Sequence, residues 1–236
     1  MSELSSLKLQ NNDLTGPIPK ELGQLNSLEV LCLNNNNLED SIPSELGKCK
    51  KLRYLDLSNN WLTGEIPTKL EDCKAGMEVL CLQNNSLSGP IPEEIGNLYK
   101  LRILKLNNNK KGYVNGINTG FTEIPEELGD LANKLEILHL HNNQIEGQIP
   151  DRIDQRTLEQ LDLIYGNNTD LKAGRNDNIR GSMQFIESCW KEMGGNIAVL
   201  HGEGGDEDIH LWKGVTPEKD ETGKSIITKI DWSNCR

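Results

Sequence analysis

The sequence is poor in aromatic residues and in positive charge. Aromatic side chains make up 4% of its 236 residues and hydrophobic residues 35%, so an ordinary globular core would be thin. Acidic residues outnumber basic ones by 36 to 25, which gives a net charge of -11. Nonspecific binding to nucleic acid or to an anionic membrane surface needs a basic face, so no nucleic-acid partner is expected.

Long apolar stretches are missing as well. No hydrophobic run approaches the ~20 residues that a membrane span requires. The first residues, MSELSSLKLQNN, lack the charged-then-apolar order of a signal peptide. Membrane insertion is therefore not expected. By contrast, 22 glycines and 9 prolines indicate many turns, so the chain has either a repetitive core or none.

Two periodic tracks run through the first two thirds of the chain. One is Leu-x-Leu-x-x-Asn, which begins at Leu7, Leu31, Leu55, Leu80, Leu104 and Leu138. The other is an Ile-Pro step after each of these asparagines, at Ile18, Ile42, Ile66, Ile91, Ile124 and Ile149. The leading leucines are 24, 24, 25, 24 and 34 residues apart. Two independent tracks in phase predict a stacked repeat.

Each part of the period has a physical role. Leu-x-Leu is typical of a short strand with two inward leucines, because strand side chains alternate between faces. The asparagine amide can satisfy the turning backbone, and Ile-Pro turns the chain while it buries isoleucine. One coil cannot bury its own apolar side, so the coils are expected to stack on one another. The asparagines expected to be buried are Asn12, Asn36, Asn60, Asn85, Asn109 and Asn143.

These tracks resemble the leucine-rich repeat family in its plant-type variant, LxxLxLxxNxLxGxIPxxLGxL, over roughly residues 4–163. The resemblance implies an α/β solenoid, a right-handed superhelix with a parallel sheet on its concave face. It also implies recognition of another protein or peptide, with neither catalysis nor a cofactor. The predicted organisation is an array of about seven coils over residues 1–163, followed by an insertion and a helix-loop-strand cap over 164–236.

The repeat is interrupted after Asn109, where extra residues precede Ile124 in an insertion near 110–122. Its glycines predict a projecting loop. One interpretation is a tolerated surface insertion, because loops absorb length at small entropic cost. The other is a loop that contacts a partner, with Tyr113 and Phe121 as anchors.

The pattern changes again after the seventh strand at Leu161. Gly166 stands where asparagine is expected, so the asparagine track is predicted to end. Residues 182–193 favour an amphipathic helix and 225–233 a strand. The run Gly194-Gly195, then Trp212 to Val215, resembles the opening cap of leucine-rich repeat arrays, although it follows the repeats. The chain is either a fragment of a longer array or one that reuses this cap at its end; in both cases 227–232 is predicted to add an eighth parallel strand.

The six cysteines favour a reducing compartment. Cys32 and Cys81 fall two coils apart, about 10 Å at the usual strand spacing, which is too far for a disulfide. Cys49 and Cys73 take the place of leucines in adjacent coils and are expected to be buried. A disulfide between them is the alternative, because adjacent coils stack closely. An intracellular location, in the cytoplasm or an organelle, is therefore expected, with an extracellular one as the alternative.

No arrangement of a nucleophile and a base stands out, so no catalytic residue is assigned and the chain is not expected to be an enzyme. His139 and His141 share a strand face, but a metal site needs a third ligand, and we interpret them as a polar surface pair. The predicted function is a non-catalytic protein-binding scaffold or accessory subunit. The alternative is the ligand-sensing ectodomain of a receptor-like or secreted defence protein.

The repeat register assigns the side chains of the concave face. An apolar stripe runs through Tyr54, Val79, Ile103 and Ile137, beside the polar residues Lys105 and His139. The β-branched members could simply reflect strand propensity. Alternatively, the stripe is an apolar surface that contacts a partner. The residues assigned to protein binding are these six together with Tyr113 and Phe121 of the insertion.

Overall fold

The computed structural model describes residues 3–110, 113–114, 117–150, 152–153, 160–162, 168, 171–172, 215–219 and 225–230. Seven strands form one parallel sheet, here called the concave sheet, in which sequence order equals spatial order. We number the coils one to seven by these strands, which are Ser6–Lys8, Val30–Cys32, Tyr54–Asp56, Val79–Cys81, Ile103–Lys105, Ile137–His139 and Gln160–Asp162.

The register of the concave sheet is the one that the repeat predicts. Leu55 pairs with Leu31 on one side and with Leu80 on the other, and the same leucine pairs with its equivalent in every coil. The predicted α/β solenoid with a continuous parallel sheet is therefore confirmed.

An asparagine turn follows the concave strand in each of the first six coils, and all seven coils have a short lateral strand. The lateral strands pair in parallel between neighbouring coils. They are Thr15–Pro17, Asn37–Glu39, Thr63–Gly64, Ser86–Gly89, Gly120–Phe121, Gly147–Gln148 and Leu171–Lys172. A 3-10 helix then closes each of the first five coils, at Lys20–Gln24, Ser44–Lys48, Thr68–Cys73, Glu93–Asn97 and Glu126–Leu131.

The Ile-Pro step sets the start of these 3-10 helices. Its proline immediately precedes the first helical residue, as Pro43 does with a φ of -69°. Proline holds φ near this value and has no backbone N–H group. It therefore starts the turn at a position where no N–H group has to donate to a neighbouring strand. The isoleucine before it is buried, with Ile42 3% and Ile66 2% exposed. The second track of the repeat therefore positions both a turn and a core residue.

The core is a stack of leucines, and the inner asparagines line its edge. Leu55, Leu80, Leu104 and Leu138 are fully buried. Five of the six predicted asparagines are buried too: Asn36, Asn60, Asn85, Asn109 and Asn143. Asn12 is the exception. It is exposed and its amide donates only to Leu9 and Gln10 of its own coil, because coil one has no earlier described coil against it.

A second asparagine ladder, which the sequence analysis did not identify, runs beside the buried one. Its members have positive φ angles of 52° to 58° and are Asn11, Asn35, Asn59, Asn84, Asn108 and Asn142. Asparagine tolerates this left-handed region better than most residues. The amide of Asn84 donates to Asn59 at 2.6 Å and accepts from Asn108 at 2.7 Å. The residue before each buried asparagine therefore makes both the turn and a contact between coils.

The insertion after Asn109 contains a short antiparallel hairpin, Tyr113–Val114 with Ile117–Asn118. The chain rejoins the coil at Gly120–Phe121, which pairs with the lateral strand of coil four. Phe121 is fully buried, and its backbone N–H donates to Asn143 Oδ1 at 3.2 Å. The prediction that Phe121 anchors a partner is therefore wrong: it takes the core position that leucine holds in coils two to four.

Two predictions for the last third also differ from the structure. The asparagine track does not end at Gly166, because Asn168 takes the next place: its amide donates to Leu140 O at 3.1 Å and accepts from the backbone N–H of Ile145 at 3.2 Å. The strand Ser225–Ile230 pairs antiparallel with Val215–Lys219 in a separate two-stranded sheet. It is therefore not the predicted eighth parallel strand. The predicted helix over 182–193 lies outside the described residues.

Candidate functional site

The outward side chains of the concave sheet form three columns along the solenoid. The first column is apolar in the middle coils. Val30, Tyr54, Val79, Ile103 and Ile137 stand at paired positions and are all half-buried. Half-buried aliphatic and aromatic groups in one row leave a continuous apolar strip in contact with water.

The middle column alternates thiols with charges. Cys32 and Cys81 are 9% and 6% exposed, and Asp56 lies between them in the same column. Asp56 Oδ1 accepts hydrogen bonds from the backbone N–H of Ser58 at 3.0 Å and from its hydroxyl at 2.6 Å. Lys105 follows Cys81 along the column and is half-buried.

Burial and Asp56 together keep the groups around this carboxylate neutral. Burial raises the pKa of Cys81 to about 12, and the negative charge of Asp56 acts in the same direction. The pKa of Cys32 is raised for the same two reasons, although Lys8 partly opposes the shift. The pKa of Tyr54 is raised by burial first and by Asp56 second. At neutral pH, therefore, Cys32, Cys81 and Tyr54 carry no charge.

The third column is polar in the first six coils, and some of its side-chain atoms have no hydrogen-bond partner among the described residues. Its members are Gln10, Asn34, Ser58, Gln83, Asn107 and His141. The side-chain oxygens of Gln83 and Asn107 are buried and accept no hydrogen bond within the described chain. An amide oxygen in this state favours any donor that reaches it, because an unmet acceptor costs about 1–3 kcal/mol.

One rim of the face, next to the first column, carries charges that pair with one another. Arg53 pairs with Glu78 at 2.8 Å, and Arg102 pairs with Glu136 in the following coils. These pairs are largely exposed, and such pairs contribute only about 0–1 kcal/mol each. Four of the rim charges thus neutralise one another in two ion pairs.

The structure brings six of the eight predicted binding residues onto one face. Tyr54, Val79, Ile103 and Ile137 share the first column, and Lys105 and His139 share the middle one. Tyr113 lies apart from them in the hairpin of the insertion, and Phe121 is in the core. What sequence reasoning missed is the three unmet acceptors in the third column, the side-chain oxygens of Gln10, Gln83 and Asn107. Polarity in a sequence does not indicate which atoms lack a partner.

Among the described residues, no other group of side chains forms a site as well defined as the concave face. The rings of His139 and His141 are 5.9 Å apart, and within the described ranges no three histidine, cysteine or acidic side chains are placed to hold a metal ion. A shallow lateral cavity of about 540 Å³ is lined by Thr122, Glu123, Ile124, Glu126, Gln144, Glu146 and Gly147. In the part of the chain that the structure describes, no helix has the length and apolarity needed to cross a membrane.

The buried thiol of Cys73 should make the stability of the fold depend on pH. Burial raises the pKa of Cys73 from 9.0 to about 12, so this thiol ionises in the unfolded chain before it does so in the folded one. Its contribution is complete below about pH 9 and is lost as pH rises from there toward 12. We expect the urea midpoint of Cys73→Ala to fall less steeply between about pH 8 and 11 than that of the parent chain. Equal slopes would contradict the shift.

The chain is similar to leucine-rich repeat proteins both in sequence and in structure. A leucine rich repeat model matches residues 2–62, and a second leucine rich repeat model matches 76–98 and 134–155. Among solved structures, PEPR1–AtPEP1 is 36% identical over 72% of this chain, with a TM-score of 0.62. The ectodomain of the Arabidopsis thaliana receptor kinase GASSHO1/SCHENGEN3, in complex with Casparian Strip Integrity Factor 2, is 32% identical over 72%, with a TM-score of 0.59.

A third similar structure is the ectodomain of the Arabidopsis receptor kinase HAESA in complex with an N-terminally extended IDA peptide hormone ligand. It is 35% identical over 71% of this chain, with a TM-score of 0.58. The chain spans 22%, 19% and 26% of the lengths of these three proteins. No curated protein matches it in sequence.

Proposed function

Because the chain belongs to the leucine-rich repeat family, we propose that its concave face binds an extended peptide or protein segment, without catalysis. The observation that carries this proposal is the first column, where Tyr54, Val79, Ile103 and Ile137 stand half-buried in successive coils. Tyrosine is enriched among the residues that dominate the binding energy of protein interfaces, and the contacts around such residues exclude water.

The dimensions of the face suit an extended ligand. Neighbouring strands lie about 4.8 Å apart, so seven coils span roughly 30 Å. An extended segment of about nine residues covers that length at about 3.3 Å per residue. The apolar column supplies contacts for side chains, and the polar third column supplies acceptors for a ligand backbone.

Between the two uses considered for this repeat type, we favour a ligand-sensing, receptor-like protein. Two of the three similar structures described above are named as receptor ectodomains with bound ligands, one of them a peptide hormone. They give no support to the intracellular location that the cysteines led us to expect. Ligand sensing and an extracellular location are therefore our proposals for this chain.

The second candidate is the intracellular scaffold, and one observation favours it. Cys32, Cys49, Cys73 and Cys81 are all free thiols in the structure. An antibody against the chain separates the two candidates. Detection in the secreted or cell-surface fraction of its source cells supports the receptor-like protein, and detection in the soluble intracellular fraction alone supports the scaffold.

The binding proposal is tested with charge substitutions in the first column. Linear peptides that bind the whole chain are first selected from a displayed library with about 12 random positions, which is long enough to span the face. We expect Val79→Glu and Ile103→Glu each to weaken these peptides by about 30-fold or more, because a charge would be buried in the apolar contact. Affinity is measured by titration calorimetry.

Tyr99→Glu is the matched control. Tyr99 is 53% exposed and follows the 3-10 helix of coil four, outside the concave strands. All three variants should melt within about 2 °C of the parent, since each substituted side chain contacts water. If the selected peptides bind Val79→Glu and Ile103→Glu as tightly as they bind the parent, the concave face is not the site.

A further inference from the structure

Two opposite charges lie in the inner coils of the middle column, which also carries Lys8 in coil one and Asp162 in coil seven. Asp56 and Lys105 occupy the middle column two strands apart, with Cys81 between them. Both are half-buried. Among the residues that the structure describes, neither forms an ion pair. At a strand spacing of about 4.8 Å their positions are about 10 Å apart, too far to neutralise each other directly.

This contrasts with the charges around them. On the rim, Arg53 pairs with Glu78, and Arg102 pairs with Glu136. On the opposite side of the coils, Lys50 pairs with Asp72 at 3.0 Å. A half-buried charge without a partner keeps more of its attraction for an incoming opposite charge than an exposed one, because less water screens it.

No other charged residue lies between Asp56 and Lys105 in the middle column. Asp56 is flanked in its row by the thiols of Cys32 and Cys81, and its hydrogen bonds come from Ser58. Lys105 lies between Cys81 and His139. The middle column thus has a negative site in coil three and a positive site in coil five, with the thiol of Cys81 between them.

Acceptors for a ligand backbone lie beside these charges. In the third column, Gln83 of coil four and Asn107 of coil five have buried side-chain oxygens that accept no hydrogen bond from the described residues. An extended chain that runs along the solenoid carries backbone N–H groups every few ångströms past this column. Donation from those groups would relieve the two unmet acceptors.

We propose that the concave face selects an extended peptide with a basic side chain over Asp56 and an acidic side chain over Lys105. This inference rests on the proposed peptide-binding function and adds its charge specificity. A gap of about 10 Å corresponds to about three extended residues, and flexible long side chains widen the match to spacings of two to four. The peptide chemistry is therefore one Lys or Arg and one Asp or Glu at that spacing, with apolar residues against the first column.

Lys8 is the rival site for the acidic group, because it lies two strands from Asp56 on the other side. It is exposed on coil one, whereas Lys105 is half-buried. Solvent and salt screen an exposed charge more strongly. Lys105 is therefore the site of the acidic side chain, and Lys8→Asp is a control with the same change of charge in the same column.

The test repeats the library selection with the full chain and with single charge-reversal variants. Constant Gly-Ser segments flank the random positions, so no free terminus lies at the site. The parent should enrich peptides in which a basic and an acidic residue are two to four apart. Asp56→Lys should enrich peptides with two acidic residues at that spacing, and Lys105→Asp peptides with two basic residues. Lys8→Asp should give the same preference as the parent.

A defined peptide from the parent selection then gives the magnitude. Its affinity should fall by about 10-fold or more with Asp56→Lys or Lys105→Asp, and reversing the matching charge in the peptide should restore it. Asp56→Asn and Lys105→Met provide the same comparison if a reversal prevents folding.

Peptides that lose binding with Val79→Glu yet show no charge pattern would overturn this inference and leave the proposed function standing. A preference that changes with Lys8→Asp but not with Lys105→Asp would overturn the assignment of Lys105. Peptides indifferent to Val79→Glu would overturn the proposed function itself.

Discussion

Replacing Gly47 with alanine should destabilise the chain by about 3 kcal/mol, a large effect for the addition of one methyl group. Gly47 is buried in the 3-10 helix Ser44–Lys48 of coil two. A Cβ atom there would lie 2.1 Å from the carbonyl oxygen of Lys69 and 2.8 Å from its carbonyl carbon, both in the next coil. These are backbone atoms, so no side-chain rotation relieves the overlap and the two coils must separate.

The same close approach recurs along the array. A Cβ on Gly23 would lie 2.2 Å from Glu45 O, and one on Gly96 would lie 2.5 Å from Glu127 O. The Leu-Gly pair of the repeat is thus the point where one coil packs directly on the backbone of the next. Separation of coils at this point would also weaken the leucine packing beneath it, which is why the loss should be large.

Coil three provides the control for this prediction. It carries Glu71 where coil two carries Gly47, and the step from its leading leucine to the next is 25 residues rather than 24. Glu71 is half-buried, and its carboxylate accepts a hydrogen bond from Asn97 at 3.1 Å. Glu71→Ala should therefore change the free energy of unfolding by only about 0.5 kcal/mol. The measurement is urea unfolding; a loss below about 1 kcal/mol for Gly47→Ala would contradict the packing described here.

The register of the concave sheet was predictable because two sequence tracks constrain it at once. Leucine at alternate positions determines which strand face points inward, and a slip of one residue would expose every leucine in a strand. The asparagine after each strand marks where the turn begins. Pairs such as Leu55 with Leu80 follow directly from that phase. The columns of the candidate site are the other strand face, so their membership was equally predictable.

The errors occurred where the spacing changes. Phe121 stands three residues before Ile124, whereas Leu87 stands four before Ile91, and this shift hid its equivalence to a core leucine. Asn168 lies two residues beyond the phase at which coil seven should have its asparagine, yet its amide makes the expected contacts with coil six. In both cases the structure needs a side chain of the right chemistry at a point in space, and the backbone absorbs the difference in length.

Other features could not follow from a pattern of residue types. The alternation in Ser225–Ile230 indicates a strand but does not identify its partner, which is Val215–Lys219 and not the concave sheet. The unpaired state of Asp56 and Lys105 depends on which charges reach each other across coils. Sequence gives the columns in which charges lie, whereas pairing depends on distances of a few ångströms between side chains.

Replacing Asn60 with alanine should cost about 2–3 kcal/mol. Asn60 is 1% exposed and links coils two and three. Its amide nitrogen donates to Leu33 O at 3.0 Å and to Leu57 O at 3.1 Å. Its oxygen accepts the backbone N–H of Leu38 at 3.0 Å. Alanine would leave these backbone groups inside the coil with no partner, and a buried group left unmet costs more than a hydrogen bond adds.

Asn12→Ala is the matched control, because Asn12 holds the same place in coil one. Its amide donates to Leu9 and Gln10 of its own coil, and the side chain is exposed, so water replaces both bonds when it is removed. We expect a loss of at most about 0.5 kcal/mol for this variant. Urea unfolding of both variants measures the difference. Equal losses would mean that the asparagine stabilises its own turn alone, whereas a large loss only for Asn60→Ala assigns its stabilising effect to the bonds between coils.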